Sequence, residues 1–325
     1  MNPPKCSTRL YVEFLLVSDR RFSGAELSRV APDDLSHDAV SHFLHREELS
    51  PKDLWKAVRP RVRAGGFLIL DDTVFEKRWS RENPLVHRLW SGAEKRVVSG
   101  MGLTTLLWTA TGEHLPIDYR VYAYTIDGKT KLDHAEEMLA SAKARGLTPS
   151  HALMDAVYTK LSTLKAIRGY GWHWVATLKK NRVVNDGRHL EDLRISPEGR
   201  VVHLRGYGPI KVFRSARTST SAGYLGTDDL TLSADAAESL FGARWEIEEF
   251  HRGLKQTTGV AECAARIPHA QRTHIATSLL AFLTLERYRL RTGIPWTEAK
   301  ARLTRSGIAD LLASADAPLL ACVPR

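Results

Sequence analysis

Three carboxylates and two cations in this sequence have residue types and spacings that suit phosphate ester chemistry. The stretch Phe241–Lys255, FGARWEIEEFHRGLK, read as one helix at about 100° per residue, places Arg244, Glu248 and Lys255 on one stripe. A carboxylate between two cations suits a place where a metal ion and a phosphate lie side by side. A solvated helix face with intrahelical ion pairs would show the same spacing.

Two aspartates upstream could complete such a site. The apolar run FLILDDT predicts a buried strand that ends in Asp71 and Asp72, and Asp155 interrupts a second apolar strand, HALMDAVYTK. Asp155 follows Asp71 by 84 positions and precedes Glu248 by 93, so only the fold can bring the three together. Each aspartate alone is better explained as a strand-end turn or a helix cap. The metal-site hypothesis therefore depends on all three occurring at the ends of elements.

The elements that would position these residues alternate in an α/β pattern. After Gly65-Gly66, the sequence predicts three strands, a helix over 132–145, a strand, a helix over 159–168 and a further strand. This order predicts a mixed five-stranded sheet flanked by helices. Residues 77–99, rich in Arg, Lys and Trp, are predicted to be an irregular excursion. Short strands within residues 183–232 predict a β-rich insertion before the Glu248 helix.

Four segments follow from this pattern. They are an N-terminal helical domain (1–63), the first part of the catalytic core (64–182), the β-rich insertion (183–232), and the completion of the core with C-terminal helices (233–325). The three short helices of the first segment could form a helix-turn-helix unit that offers His37, Ser41, His42 and Arg46 to DNA. A helical cap without base readout fits them equally well.

Composition restricts the class of partner. The formal charge of +10 and the pI near 9.6 favour a polyanion, nucleic acid before membrane. Cys6, Cys263 and Cys322 are far apart and form no CxxC pair, which argues against a disulfide framework and a cysteine zinc site. No apolar run approaches about 18 residues, so a cytoplasmic protein without a membrane partner is expected.

These motifs resemble those of DDE insertion-sequence transposases in the insertion-sequence-four-like superfamily, whose third motif is Y-x2-R-x3-E-x6-K. Arg244, Glu248 and Lys255 match its charged positions, and Phe241 stands in place of the tyrosine. LILDDT resembles the first motif, an Asp one residue before Ser or Thr. MDAVYTK resembles the second motif, an Asp followed by an aromatic residue three positions on. The resemblance covers roughly residues 65–290.

The resemblance implies an RNase H-like fold and a metal-dependent site. Asp71, Asp155 and Glu248 are implied to be catalytic ligands of two Mg²⁺ ions, for which Mn²⁺ could substitute. Arg244 and Lys255 are implied to hold DNA phosphates. The absence of the tyrosine hydroxyl removes one phosphate contact and leaves metal binding intact.

Further candidate residues lie beside these. The doublet of Asp71 and Asp72 leaves the ligand open, although the Asp-x-Thr pattern favours Asp71. Successive strand residues point to opposite faces, so one of the two aspartates should be a spectator. The basic run of Lys179, Lys180 and Arg182 after the last core strand offers additional cations.

The implied reaction is cleavage of DNA at the ends of a mobile element and transfer of the freed 3′-hydroxyl. The expected partners are the terminal inverted repeats and target DNA, with at least a dimer in the DNA complex because two ends must be synapsed. The expected location is the nucleoid in a prokaryotic cytoplasm. Two other classes stay open: another RNase H-like nuclease, such as a resolvase or RNA-cleaving enzyme, and a catalytically inactive, transposase-derived DNA-binding protein.

Overall fold

The computed structural model of the protein describes most of the chain. The described residues are 5–19, 22–31, 34–78, 80, 82–184, 187–215 and 223–313, with side chains as far as residue 306. The chain divides into two compact units, Pro51–His251 and Met1–Ser50 with Arg252–Arg325. In the ranges described, none of the helices has the length and apolar character needed to cross a membrane.

The unit Pro51–His251 is built on one mixed sheet, which has nine strands within the described residues. The strands are β1 (Phe67–Glu76), β2 (His87–Ser91), β3 (Arg96–Thr109), β4 (Leu115–Val121), β5 (His151–Met154), β6 (His173–Leu178), β7 (Arg200–Leu204), β8 (Gly208–Arg214) and β9 (Tyr224–Thr227). Their order is β2-β3-β1-β5-β6-β9-β8-β7, and β4 also pairs with β3. β1, β5 and β6 are parallel, and the other pairings are antiparallel.

The sheet is larger than the five strands predicted from the sequence. Those five are β4-β3-β1-β5-β6, and the three strands predicted within residues 183–232 extend them because β9 pairs with β6. The predicted irregular excursion over 77–99 is wrong for residues 87–91, which form β2 against the start of β3. The run His87-Arg-Leu-Trp-Ser91 has no alternation of apolar and polar residues, so its own sequence carries no strand period and only pairing with β3 defines the strand. Trp79, part of that excursion, lies outside the described residues.

Helices flank this sheet, and their buried faces follow the predicted period. They are α4 (Pro51–Val58), α5 (Tyr124–Asp127), α6 (Lys131–Ala144), α7 (Leu161–Gly169), α8 (Ala234–Ala243) and the first half of α9 (Trp245–Thr258). The side chain of Thr130 caps α6, and Asp133 returns a contact in a capping box. The predicted inward residues of α6, from Ala135 to Ala142, are buried.

A buried ion cluster joins α6 and α4 to β4. Asp118 is fully buried, and its carboxylate contacts Arg120 and, at 3.0 Å, Arg145 Nη2. Arg145 also donates to the Ile117 carbonyl at 2.7 Å and lies over the Trp55 ring of α4.

We expect the Asp118→Ala variant to lose about 3–5 kcal/mol of unfolding free energy, because it leaves two arginines beside β4 without their buried counter-charge. Urea denaturation followed by circular dichroism measures the loss. Glu298→Ala, which removes an exposed pair with Arg302, is the control and should change stability little. Equal stability of the two variants would contradict a structural role for the buried cluster.

The second unit is helical. It contains α1 (Thr8–Val17), α2 (Gly24–Val30), α3 (His37–Arg46), α10 (Pro268–Thr292) and α11 (Trp296–Ala313). Its core includes Tyr11, whose hydroxyl hydrogen-bonds His274 Nδ1 at 2.9 Å. His274 is completely buried and belongs to this core. Cys6 and Cys263 are buried, and Cys322 lies outside the described residues.

On α3, Val40, Phe43 and Leu44 are buried as the sequence predicts. His37, His42 and Arg46 are exposed, and Ser41 is half-buried. The exposed set is the side that a recognition helix would present, and base readout by it stays a prediction.

Candidate active site

β1 places Asp71 and Asp72 on opposite faces of the sheet, as alternation along a strand requires. Asp72 Oδ1 accepts a hydrogen bond from the Tyr158 hydroxyl at 2.7 Å, and its other oxygen forms an ion pair with Lys131 of α6. Asp71 instead faces Arg244, whose Nη1 donates to Asp71 Oδ2 at 2.9 Å. The two neighbouring carboxylates therefore have different partners.

Asp155 directly follows β5, at the carboxyl end of that strand. The parallel register sets Met154 beside Leu70, so the next residue on each strand brings Asp155 close to Asp71. The Val157 backbone N–H donates to Asp155 Oδ1 at 2.8 Å and orients the carboxylate. Burial raises the pKa of Asp155, whereas this hydrogen bond and Arg244 lower it.

Arg244 and Glu248 come from a junction between two helices. α8 ends at Ala243 and α9 begins at Trp245, so the predicted single helix over residues 241–255 is wrong. Gly242, a weak helix former, lies just before the break. Arg244 is nevertheless in helical backbone conformation, and its guanidinium also contacts Glu248 Oε1 one turn later.

Arg244 therefore bridges two of the predicted carboxylates. The side chains of Arg244 and Asp71 are each 17% exposed, and that of Glu248 is 34% exposed. A guanidinium offers two hydrogen-bonding edges, which is why one arginine can contact both carboxylates. The predicted trio of Asp71, Asp155 and Glu248 is thus assembled around one cation.

Burial dominates the electrostatics of this cluster. Burial, together with the charges of Asp155 and Asp72, raises the pKa of Asp71 to about 7, although Arg244 and the Asp72 backbone N–H oppose this rise. One arginine therefore does not compensate the crowded carboxylates. Three hard oxygen donors with excess negative charge are the ligand set that Mg²⁺ and Mn²⁺ take.

The other predicted cations are placed differently. Lys255 lies seven residues after Glu248 in α9 and is half-buried. Lys179 and Lys180 are exposed after β6, and Lys180 pairs with Glu191 at 3.2 Å. Arg182, the third cation of that run, contacts a backbone carbonyl.

Arg182 donates from Nη1 to the carbonyl of Thr159 at 2.9 Å. Thr159 follows Tyr158 in the loop after Asp155, so this contact fixes the loop. Arg182 therefore supports the backbone beside the cluster, a role that its place in a basic run did not indicate.

A group of possible metal ligands that the sequence analysis missed lies on the same helix as Glu248. His114 Nε2 is 2.6 Å from Glu246 Oε2 and 3.5 Å from Glu249 Oε2, and the three ligand atoms lie within 4.8 Å of one another. The Glu-x-x-Glu spacing puts both glutamates on one helix face. The contact with His114, just before β4, depends on the fold. These contacts fasten the first turns of α9 to the β3–β4 turn.

Lys131 was also missed, because nothing in the sequence of α6 marks it as a partner of Asp72. Tyr158 is the aromatic residue noted in the second motif, and its hydroxyl gives that position a physical role.

Comparison with known proteins identifies the family. No curated protein matches the sequence. Residues 5–223, about two-thirds of the chain, match the family of the DDE superfamily endonucleases. The matched region includes Asp71, Asp72 and Asp155 and ends before the helix that carries Glu248. Of the three candidate ligands, Asp71 and Asp155 lie inside the match, and Glu248 is joined to Asp71 through Arg244. The chain belongs to the DDE superfamily endonuclease family.

Proposed function

We propose that the protein is a transposase that cuts DNA at the ends of a mobile element and joins the freed 3′-hydroxyl to target DNA. The observation that carries this proposal is the convergence of Asp71, Asp155 and Glu248 around Arg244. Membership of an endonuclease family supports the cleavage step. The match of the third motif to the insertion-sequence-four-like pattern supports the choice of a transposase among DDE enzymes.

The sheet topology supports an RNase H-like core. Five of its strands, in the order β4-β3-β1-β5-β6, combine an antiparallel meander with parallel strands. We assign the catalytic carboxylates to the first strand of this core, to the end of β5 and to α9. β5 ends beside Leu70 of β1, so Asp155 at the carboxyl end of β5 meets Asp71 in the middle of β1 at this edge.

We assign Asp71, Asp155 and Glu248 as the ligands of the divalent metal, with Mg²⁺ as the physiological ion and Mn²⁺ as a substitute. When bound, two such ions would activate the attacking oxygen and stabilise the leaving 3′-oxygen. Asp72 is excluded from this set in our assignment because Lys131 and Tyr158 already satisfy it. Its contacts instead fix β1 against α6 and the loop after Asp155.

The cations of the third motif have a complementary role. Phosphoryl transfer requires positioning and charge neutralisation, which Arg244 and Lys255 would supply by contacting phosphate oxygens. Attack by water breaks the P–O3′ bond and leaves a 3′-hydroxyl on one fragment and a 5′-phosphate on the other. Attack by that 3′-hydroxyl on a target phosphodiester would form a new P–O3′ bond and break the target's own P–O3′ bond, which joins the two DNAs and frees a 3′-hydroxyl on the target strand. The terminal inverted repeats and target DNA are the proposed partners, with a dimer in the DNA complex.

We expect Glu248→Gln to abolish Mg²⁺-dependent cleavage while DNA affinity stays within a few-fold of wild type, because it removes one ligand charge and keeps the shape of the side chain. The substrate is a duplex carrying the sequences that flank the gene, incubated with Mg²⁺ or with EDTA. Nicked 3′ ends are resolved on denaturing gels. Strand transfer is scored by adding a supercoiled target plasmid.

Glu249→Gln is the matched control, since Glu249 is the next residue of α9 and faces His114. It should cut close to the wild-type rate. Equal cleavage by wild type and Glu248→Gln would refute the assignment of Glu248. DNA binding by the wild type without any cleavage would identify a catalytically inactive derivative, and cleavage without strand transfer would identify another nuclease.

A further inference from the structure

The β2–β3 hairpin carries an exposed apolar surface that the catalytic cluster does not use. We name the hairpin arm as β2, the turn at residues 92–95 and the first residues of β3. Trp90 is 63% exposed, and Val97, directly opposite it in the strand register, is 45% exposed. Exposed apolar side chains on an edge strand invite contact with another molecule.

This surface continues the face of the sheet that carries Asp71. Alternate residues of a strand share a face, so Val97 and Thr105 of β3 point the same way. Thr105 is the register partner of Asp71, and Val97 is the partner of Trp90. Trp90 therefore lies on the same side of the sheet as Asp71.

The hairpin arm also projects past the edge at which the carboxylates meet. β5 ends beside Leu70, whereas β1 continues to Glu76 and β3 pairs with β2 beyond that point. Val97 and Thr105 are eight residues apart, which is ~27 Å along a strand. One turn of duplex DNA spans about 34 Å. A duplex with a phosphate at the carboxylates can therefore reach the hairpin arm within the same turn.

The charge of this region fits a polyanion. Residues 77–99 contain six lysines or arginines and two glutamates, which gives them a formal charge of +4 out of +10 for the chain. Arg96 is held by Glu76 at 2.9 Å, whereas Arg88 and Lys95 are exposed. Arg88 is two residues before Trp90 on β2 and therefore shares its face. Proteins that bind the minor groove of DNA often combine cations, which contact the phosphates, with apolar side chains that enter the groove.

We infer that the hairpin arm is a DNA-binding surface for the duplex that flanks the cleaved phosphate. Trp90 and Val97 contact the sugar and groove edges, and Arg88 and Lys95 contact phosphates. The inference rests on the proposed function for the identity of the polyanion but not on cleavage. A cross-strand pair of an aromatic and a β-branched residue also stabilises a hairpin by itself, so the experiment separates binding from folding.

The test measures DNA affinity of the full-length protein in EDTA, where binding is independent of cleavage. The probe is a fluorescein-labelled 40-bp duplex (about four helical turns), followed by anisotropy at several NaCl concentrations. Trp90→Ala should bind about tenfold more weakly, because the variant loses the apolar area that the indole would bury against the duplex. Arg88→Ala should also weaken binding and should lower the slope of log K against log salt by about 1.

The matched controls are Val201→Ala and Arg205→Ala. Val201 lies on β7, at the opposite edge of the sheet, and Arg205 follows that strand; both are exposed. They should bind the probe as the wild type does, and thermal melting should show that all four variants are folded.

Wild-type affinity in both Trp90→Ala and Arg88→Ala would overturn the inference. The inference would also be overturned if Trp90→Ala bound DNA normally but had a smaller mass than the wild type in light scattering without DNA. The exposed surface would then be an interface with a second copy of the chain. A wild type that binds but never cuts with Mg²⁺ would refute the proposed function and leave the hairpin arm as a DNA-binding surface. A wild type that cuts DNA, together with variants that bind DNA normally, would support the proposed function and refute the hairpin arm as a DNA-binding surface.

Discussion

The Asp71→Asn variant is expected to lose Mg²⁺-dependent DNA cleavage and yet to be more stable than the wild type at pH 8 in EDTA. Burial and the neighbouring Asp155 and Asp72 make the ionised carboxylate unfavourable in the metal-free fold, although Arg244 opposes them. The asparagine removes the charge and keeps the shape. Catalytic metals contribute several kcal/mol, and about 1.4 kcal/mol is a tenfold change in rate, so cleavage should fall by about 10³-fold or more.

The pH dependence of the stability gain follows from the direction of the shift. The pKa of Asp71 is about 7 in the fold, compared with about 3.9 in an unfolded chain. Between these values the folded state binds the extra proton, so this carboxyl stabilises the fold at low pH and loses that contribution as pH rises through 7. Asp71→Asn and wild type should be equally stable near pH 4. The advantage of the variant should grow to at most about 4 kcal/mol above pH 7.

Thermal and urea unfolding between pH 4 and pH 8.5 measure this difference. Mg²⁺ at 100 times its dissociation constant should stabilise the wild type by about 2.7 kcal/mol and the variant much less. Asp72→Asn is the matched control, because Asp72 is the next residue of β1 but is held by Lys131 and Tyr158. It should lose stability and keep a stabilising response to Mg²⁺. The reverse pattern, with Asp72 required for the response, would exchange the roles of the two aspartates.

The Arg244→Ala variant is expected to be destabilised without metal and to be rescued by it. Arg244 contacts both Asp71 and Glu248. Its loss leaves these carboxylates and Asp155 facing one another at a cost of about 3 kcal/mol, the low end of the range for buried pairs because Glu248 is partly exposed. The cost should be largest at pH 8 and smaller at pH 5, where the carboxyl groups with raised pKa values take up protons.

Melting temperatures with EDTA and with Mg²⁺ measure this effect. Mg²⁺ should raise the melting temperature of Arg244→Ala more than that of the wild type, because a divalent ion replaces the lost charge. Arg244→Lys is the control, since it keeps the charge but loses the two-edged guanidinium. Cleavage by Arg244→Ala with Mg²⁺ should still be slower by about 10²–10³-fold, as when one charge-stabilising donor is removed. An equal Mg²⁺ response in wild type and Arg244→Ala would contradict the role of Arg244 between the carboxylates.

The elements whose signals are local could be predicted from the sequence. The helix over residues 131–144 begins at a capping box and buries one face every three to four residues, so its position follows from neighbouring residues. Eight of the nine strands found in the described residues were likewise predicted. The types and order of the carboxylates were also apparent, but the predicted strand end at Asp71 and Asp72 is wrong. Pairing with β3 carries β1 on to Glu76, so both aspartates lie in the middle of the strand. The five-strand count was too low because pairing between β6 and β9 joins segments 46 or more residues apart.

Only the tertiary structure decided how these residues are used. Alternation along β1 requires Asp71 and Asp72 to face opposite ways, but packing of α9 decides which one meets Arg244. The contacts of Asp72 with Lys131 and of His114 with Glu246 join residues distant in sequence and have no local pattern. The orientation of Trp90 relative to Asp71 likewise needs the register of three strands. Helix caps and strand periods are set by residues within a turn or two, whereas a site is set by long-range packing that no short stretch encodes.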